Sequence, residues 1–307
     1  MRVGILTSGG DCQGLNGAMY GLVKALNFNC KEKLEIYGIL EGYTGLINGD
    51  YKKMKHEEFE GILNMGGSIL GNSRQPFKRI NDADENGVTK VQSMIKNYKN
   101  MDLDCLVVLG GNGSHKTANL LSEQGLNVVT LPKTIDNDIN GTEMTFGFQS
   151  AIDIATRTLE ELHTTAKSHK RIIIDEIMGN KAGFLTLYSG IAGEADIILI
   201  PEIPYSIDKI VDFINKKLDE GRRHIIIAAA EGIISKEESK LTKKELKQKR
   251  ATENYTSAAV YLEKKLSEKV HREIRAVVPG HIQRGGSPCA YDKVLTSRLG
   301  AKGAELI

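Results

Sequence analysis

The sequence predicts an α/β protein built from two doubly wound, Rossmann-like domains with mainly parallel sheets. Three observations carry this. A short apolar strand, a glycine-rich turn and a helix follow one another at the start of the chain and again near residue 105, as they do where strand-end loops line a ligand crevice. Strand and helix patterns alternate along most of the chain. From about residue 142 the alternation restarts, and 307 residues leave room for two domains. The predicted domains are 1–146 rejoined by 283–307, and 147–282.

Residues 2–7 read as a buried strand, and Gly9, Gly10, Gly14 and Gly17 lead into an amphipathic helix that runs to about Leu26. Such a turn lets backbone N–H groups approach an anion beside the positive end of a helix dipole. It lacks the Gly-Lys-Ser/Thr ending of a Walker loop and the full dinucleotide spacing, so phosphate binding and an ordinary tight turn both fit it. Residues 33–40 form the next strand, with Tyr43 at its end. The glycine-rich stretch 65–79 carries Arg74, Gln75, Lys78 and Arg79, as a triphosphate lid or a solvated basic turn would. An amphipathic helix over 89–98 precedes the strand 103–109, the turn Gly110-Gly111-Asn112-Gly113-Ser114 and a helix to about Ser122.

In the second half, 148–166 is a helix with an apolar face, and 171–177 is a strand that starts on Arg171 and ends in Met178-Gly179-Asn180-Lys181. The strand 195–200, the helix 207–220 and the strand 224–230 follow, the last ending on Glu231. The lysine-dense run 235–250 reads as a solvated helix or loop without a binding role. A final strand from 274 delivers Arg275, His281 and Arg284 around loop glycines, an arrangement that suits an anionic ligand, and 293–307 reads as a helix.

Charged residues make up 26% of the chain and the net charge is +2, which leaves no broad field for nucleic acid or a membrane surface. Cys12, Cys30, Cys105 and Cys289 have no metal-ligand spacing, and the chain has no secretory start, so a reduced cytoplasmic compartment is expected. No apolar run approaches the roughly 20 residues of a membrane span.

The stretch around which these elements are organised is Leu131-Pro132-Lys133-Thr134-Ile135-Asp136-Asn137-Asp138. An extended backbone would put Asp136 and Asp138 on one face. Two carboxylates so placed are costly unless a cation lies between them or one is protonated for acid/base work; an acidic turn at a strand end is the structural alternative. Lys133 and Thr134 are residue types that meet phosphate oxygens.

Taken in order, these motifs resemble the phosphofructokinase family from Gly4 to the end of the chain. The pieces that carry the likeness are Gly9-Gly10-Asp11 with Gly14-Leu15-Asn16, Gly110 to Ser114, Pro132 to Asp138, Met178-Gly179, and Gly280-His281-Ile282-Gln283-Arg284-Gly285-Gly286-Ser287-Pro288. The resemblance implies a 6-phosphofructokinase that moves the γ-phosphoryl group of ATP, with Mg2+, to the 1-hydroxyl of fructose 6-phosphate in a cleft between the two domains. It implies Asp136 as the base, Thr134 and Lys133 at the transferred group, and Asp138 with Asn112 near the magnesium. Met178, Gly179, Glu231, His281 and Arg284 would hold the sugar phosphate, with Arg171 and Arg275 reaching it from a neighbouring subunit of a homotetramer. Gly10, Tyr43, Arg74, Gln75, Gly111, Asn112, Gly113 and Ser114 would line the nucleotide. A pyrophosphate-dependent enzyme and a non-catalytic phosphosugar-binding paralogue are the alternatives. An NAD-kinase-like enzyme shares a Gly-Gly-Asp-Gly type loop but leaves residues 275–288 unexplained.

Three positions depart from the family pattern. Asn112 stands where a metal-binding aspartate is usual, Asn180 where an arginine usually stabilises the moving phosphoryl group, and Tyr20 and Lys24 where regulated bacterial members carry effector-binding arginines. The family also continues with a further strand and helix beyond the helix in which this sequence stops, so a truncated chain with an unpaired sheet edge is expected.

Overall fold

The structure, a computed structural model, describes residues 1–30 and 33–307. The chain divides into two compact units, Met1–Ser150 with Arg284–Ile307, and Ala151–Gln283.

The first unit contains β1 (Arg2–Ser8), α1 (Leu15–Asn29), β2 (Glu35–Ile39), α2 (Tyr43–Asn48), β3 (Tyr51–Met54), α3 (Lys90–Asn100), β4 (Cys105–Gly110), α4 (Asn112–Glu123), β5 (Val128–Thr134), β6 (Phe146–Gly147) and the C-terminal helix Ala290–Glu305. Its six strands are ordered β3-β2-β1-β4-β5-β6, all parallel except the edge strand β3, which runs antiparallel to β2. Strand order turns back between β1 and β4, so the loops leaving these two strands flank a switch point, where α/β sheets bind ligands. All six residues of β4 are buried, as expected of a strand covered on both faces. Leu6, Leu106 and Val108 pack with Met94, Tyr98 and Leu121 on one side of the sheet. Helix α3 starts where Thr89 and Gln92 form a capping box. Helix α1 and the C-terminal helix cross at Gly21, where a Cβ would meet the Ser297 backbone at 2.5 Å, so glycine there allows the close approach.

The sequence places Tyr43 at a strand end; instead it opens α2 and is fully buried, its hydroxyl donating to Ser114 O at 2.8 Å. The preceding Gly42 (φ 61°) makes the turn, and a Cβ there would run into Thr7 O.

The second unit begins within α5 (Phe148–His169), whose first residues Phe148–Ser150 belong to the first unit, where Ser150 donates from both N and Oγ to Asp292 Oδ2 (2.9 and 2.5 Å). It contains β7 (Ile172–Ile177), α6 (Phe184–Ala192), β8 (Ile197–Leu199), α7 (Ile207–Asp219), β9 (Ile225–Ala230), α8 (Lys243–Thr252), α9 (Ala258–Ser267) and β10 (Ile274–Val277). Its sheet is fully parallel in the order β10-β7-β9-β8. Ile172, Ile174, Ile225 and Ile227 pack with Ile210, Ile214, Leu262 and Leu266 in its core. Residues 235–250 are not wholly solvated. Glu238 is buried and accepts from Arg250 Nε at 3.1 Å, while the Arg250 guanidinium lies 4.2 Å from the Tyr255 ring centroid, so this run closes the core rather than floating over it.

On β7, strand alternation turns Asp175 to the side opposite Ile172 and Ile174. The carboxyl is completely buried, neither oxygen has a hydrogen-bond partner, and burial pushes it up to about 8, with Glu176 adding repulsion. A carboxyl whose folded value is raised favours the folded state most at low pH and loses that advantage as pH climbs from about 4 to about 8. Asp175→Val is therefore expected to raise the melting temperature, by an amount that grows across that window and corresponds to several kcal/mol, on the order of 1.4 kcal/mol per pH unit traversed. Equal gains at pH 5 and pH 8 in thermal melts would show that Asp175 is not held neutral.

Candidate active site

The first unit brings together the turns that the sequence singles out. Gly9 N donates to Ser73 O at 3.0 Å and Ser8 forms a parallel bridge with Ser73, so the loop bearing Arg74 is stitched to the end of β1. Ser73 Oγ donates to Glu41 O (2.6 Å) and lies 2.6 Å from Thr44 Oγ1, which also accepts from Gln75 Nε2 at 3.0 Å. Gln75 thus fixes the loop through its amide, and Arg74 projects from a braced segment. The guanidinium of Arg74 reaches the Gly10 turn, as does that of Arg284, whose Nη1 donates to Asp11 O at 3.0 Å. Beneath them, Lys133 Nζ donates to Gly10 O at 2.5 Å. Lys133 is 3% exposed, and burial, with the nearby Arg284, holds its ammonium below the usual lysine range against the pull of Cys12, Asp136 and Asp11.

The turn after β4 opens α4 at Asn112, so the free N–H groups of that helix start lie by Gly111, Asn112 and Gly113. A side chain at Gly113 would meet nothing within 4 Å, whereas one at Gly110 would collide with Ser114. His115 Nε2 lies 2.9 Å from Gly110 O, and burial keeps this imidazole below its usual range, so it donates to that carbonyl as a neutral ring. Phe77, Asn112, His115, Asn119 and Ile139 line an adjoining cavity of about 360 Å³.

The carboxylate pair departs from expectation. Extended backbone ends at Thr134, and Asn137 takes the left-handed conformation (φ 51°), so Asp136 and Asp138 do not share a face through strand alternation. The side chain of Asn137 explains the bend: Oδ1 accepts from Thr145 N at 2.8 Å and Nδ2 donates to Glu143 O at 3.3 Å. Asp136, half-buried, donates from its N–H to Thr134 Oγ1 at 3.1 Å. Asp138 is exposed and its Oδ2 accepts from Asn112 Nδ2 at 3.0 Å. The structure therefore joins Asn112 to Asp138 as donor to acceptor. No group of three or more His, Cys, Asp or Glu suited to a metal occurs among the described residues. One oriented, exposed carboxylate still fits a Mg2+ that keeps most of its waters and arrives with phosphates.

In the second unit, Glu231 follows β9 and accepts from Gly179 N (3.1 Å) and Asn180 N (2.6 Å), which fixes the Met178-Gly179 turn. Met178 N donates to Gln283 Oε1 at 3.0 Å, and Gln283 Nε2 donates to Glu176 O at 3.2 Å. His281 is exposed on the segment after β10. Arg171 and Arg275 lie at the opposite, amino end of the same sheet, clamped on Glu273: Arg171 Nε and Nη2 donate at 2.7 and 3.0 Å, and Arg275 Nη2 at 2.6 Å. The Arg171 hydrogen bond leads in holding the Glu273 carboxyl below its usual range. Arg171 and Met178 are separated by the length of β7, roughly 20 Å at about 3.3 Å per residue.

Sequence reasoning missed His115, Thr145, Gln283 and Glu273 as partners of site residues. Only Glu273, two positions before Arg275 and immediately ahead of β10, carried a readable signal, since alternate residues of extended backbone share a face. Tyr20 and Lys24 bond to one another (Lys24 Nζ to Tyr20 hydroxyl, 3.0 Å) and line a separate groove with His56.

The family profile for phosphofructokinase matches residues 2–307. The chain belongs to the phosphofructokinase family. It is 49% identical over 307 residues to the ATP-dependent 6-phosphofructokinase of Spirochaeta thermophila, covering 99% of this chain and 83% of that protein. With ATP-dependent 6-phosphofructokinase 3 of Bacteroides thetaiotaomicron it shares 43% over 312 residues, covering 100% and 85%. Among solved family structures, phosphofructokinase from Saccharomyces cerevisiae superposes with a TM-score of 0.80 at 29% identity, over 99% of this chain but 41% of the yeast chain. The pyrophosphate-dependent phosphofructokinase of Nitrosospira multiformis has the same fold, with a TM-score of 0.83 at 17% identity, over 99% of this chain and 75% of that one. Among the described residues no helix is long and apolar enough to cross a membrane.

Proposed function

We propose that this chain is a 6-phosphofructokinase that transfers the γ-phosphoryl group of ATP to the 1-hydroxyl of fructose 6-phosphate. The observation that carries the reading is the gathering of Gly10, Lys133, Arg74 and the Asn112 helix start at the switch point of the first sheet, next to Asp136. The names of the relatives at 49% and 43% identity support ATP as the donor. Glycine turns and helix N–H groups hold the phosphates, and Asp136 takes the proton of the sugar hydroxyl as its oxygen attacks phosphorus. Thr134, hydrogen-bonded to Asp136 N, sets the height of that carboxylate. Magnesium, held by Asp138 with Asn112 orienting the carboxylate, would neutralise charge on the phosphate oxygens.

Met178, Gly179, Glu231 and His281 are the sugar-side residues. Because Arg171 and Arg275 stand at the other end of their own sheet, they serve the 6-phosphate of a neighbouring subunit, which makes the active form a homo-oligomer, a tetramer of two-fold pairs. The test is a coupled assay with fructose 6-phosphate and magnesium-ATP on material whose mass is set by light scattering. Turnover from a species of about four chains is expected; a fully active monomer removes the shared-site reading, and no turnover with either ATP or pyrophosphate removes the kinase reading.

A further inference from the structure

Two histidines meet in the second unit at a place that the proposed reaction does not use. His163 lies on α5 and His224 directly precedes β9, 61 residues further along the chain. Their facing nitrogens, His163 Nδ1 and His224 Nε2, are 3.4 Å apart, with ring centroids 5.7 Å apart and ring planes at 85°. A hydrogen bond from a ring N–H is ordinarily about 2.7–3.2 Å long, so this one is weak. Two imidazole nitrogens held by one tetrahedral ion, each about 2.0–2.1 Å from it, lie roughly 3.3–3.4 Å apart, which is the separation found. The far nitrogen of His163, Nε2, lies 2.9 Å from Gly193 O and donates to it, so Nδ1 carries its lone pair toward His224. Metal-binding histidines are oriented in the same way, by a backbone carbonyl on the other ring nitrogen. The frame is fixed on both sides. Gly193, which ends α6, packs so closely against Leu159, one turn before His163, that a Cβ there would lie 2.7 Å from Leu159 Cβ. His224 is followed by the wholly buried Ile225, whose N–H donates to Arg171 O at 3.2 Å, and then by Ile226, whose N–H donates to Asp196 Oδ2 at 2.9 Å. Both rings are half-buried, which leaves water access to the space between them. The charges acting on His224 are those of Asp196, itself paired with Arg222 at 2.7 Å, and of the cations Arg222 and Lys167.

We infer that His163 and His224 form a binding site for one transition-metal ion of the Zn2+ or Ni2+ type, with water completing its coordination. The donors select this class. Imidazole lone pairs suit Zn2+ and Ni2+, whereas Mg2+ and Ca2+ call for oxygen ligands and negative charge, which Arg222 and Lys167 oppose here. The two nitrogens point almost straight at one another, so each ring turns by roughly 35° to aim both lone pairs at one tetrahedral ion. Half-buried side chains have that freedom. His224 holds a proton on Nε2 while it faces the lone pair of His163; on binding, that proton moves to Nδ1 through solvent, and a pair that starts neutral releases none. The bound ion ties α5 to the start of β9 and so favours the folded unit.

The experiment titrates the full chain with Ni2+ and with Zn2+ by calorimetry at neutral pH, after stripping with a chelator that is then removed, and records thermal melts with and without each ion. The parent is expected to bind one ion per chain at micromolar concentration and to melt at a higher temperature with it, because an ion that prefers the folded chain stabilises it. His163→Ala and His224→Ala should each weaken the site by about tenfold or more and remove the rise in melting temperature. His271→Ala, a change at an exposed histidine outside the pair, should leave both readings at the parent value. Excess Mg2+ should not displace the ion. A parent chain that binds neither ion below millimolar concentration overturns the inference, as does a site that keeps its affinity in both histidine variants or yields to Mg2+. Binding that leaves the melting temperature unchanged overturns the link between α5 and β9. If an alanine variant fails to fold, His163→Gln and His224→Gln decide, and parental Ni2+ affinity in both overturns the inference equally.

Discussion

Asp136→Ser is expected to lower turnover by roughly two to four orders of magnitude while leaving the Kd for fructose 6-phosphate within a few-fold of its parent value, the usual reach of a general base. The expectation follows from where the chain puts this side chain. It sits two residues past the end of β5 (Val128–Thr134), with its N–H on Thr134 Oγ1, so the carboxylate is held against the strand end rather than carried by a free loop. Lys133, three residues earlier, is fixed on Gly10 O, which ties the Gly10 turn and Asp136 to one strand. Shortening Asp136 to serine removes the proton acceptor without disturbing either anchor, so the loss should fall on kcat rather than on sugar binding. Turnover within a few-fold of the parent would remove Asp136 as the base, whatever happens to KM.

The inner strands of both units were legible because their cause is local, whereas the short edge strands Tyr51–Met54 and Phe146–Gly147 were not read. Val107-Val108-Leu109 and Ile225-Ile226-Ile227 are apolar runs buried on both faces, and periodicity reads such runs directly. The turns were legible for the same reason, since glycine clusters mark where backbone must approach something closely. Helix α6 was not, because Phe184, Tyr188 and Ile191 are among its exposed residues and its period has no polar face to contrast with. The solvated reading of residues 235–250 failed at Glu238 and Arg250, whose burial depends on their meeting across a loop and on Tyr255, a relation without sequence periodicity. The bend between Asp136 and Asp138 was hidden in the same way. It is made by Asn137, whose acceptor role is satisfied by Thr145, eight residues further on. Charge placement was read least well: Arg171 and Arg275 share Glu273, whereas Arg74, Lys133 and Arg284 share no carboxylate, and composition treats all five alike.

The choice of phosphoryl donor turns on Gly113, and Gly113→Asp is expected to suppress ATP use by about 100-fold or more in kcat/KM, since like charges forced together cost several kcal/mol. Gly113 lies in the first turn of α4, where a side chain would meet nothing within 4 Å. An aspartate therefore fits the empty chain without a clash, and any loss of activity reports on the ligand instead of on folding. A carboxylate there would face the α-phosphate of a nucleotide, while pyrophosphate has no group at that place to repel. On the proposed reading Lys133 would add charge under the transferred group for either donor and would not discriminate between them. Parent turnover with magnesium-ATP should therefore exceed that with magnesium-pyrophosphate on one preparation, and the ratio should shift toward pyrophosphate in Gly113→Asp. A parent chain that prefers pyrophosphate defeats the assignment of ATP; a variant that keeps its ATP activity defeats the placement of the nucleotide over Gly113.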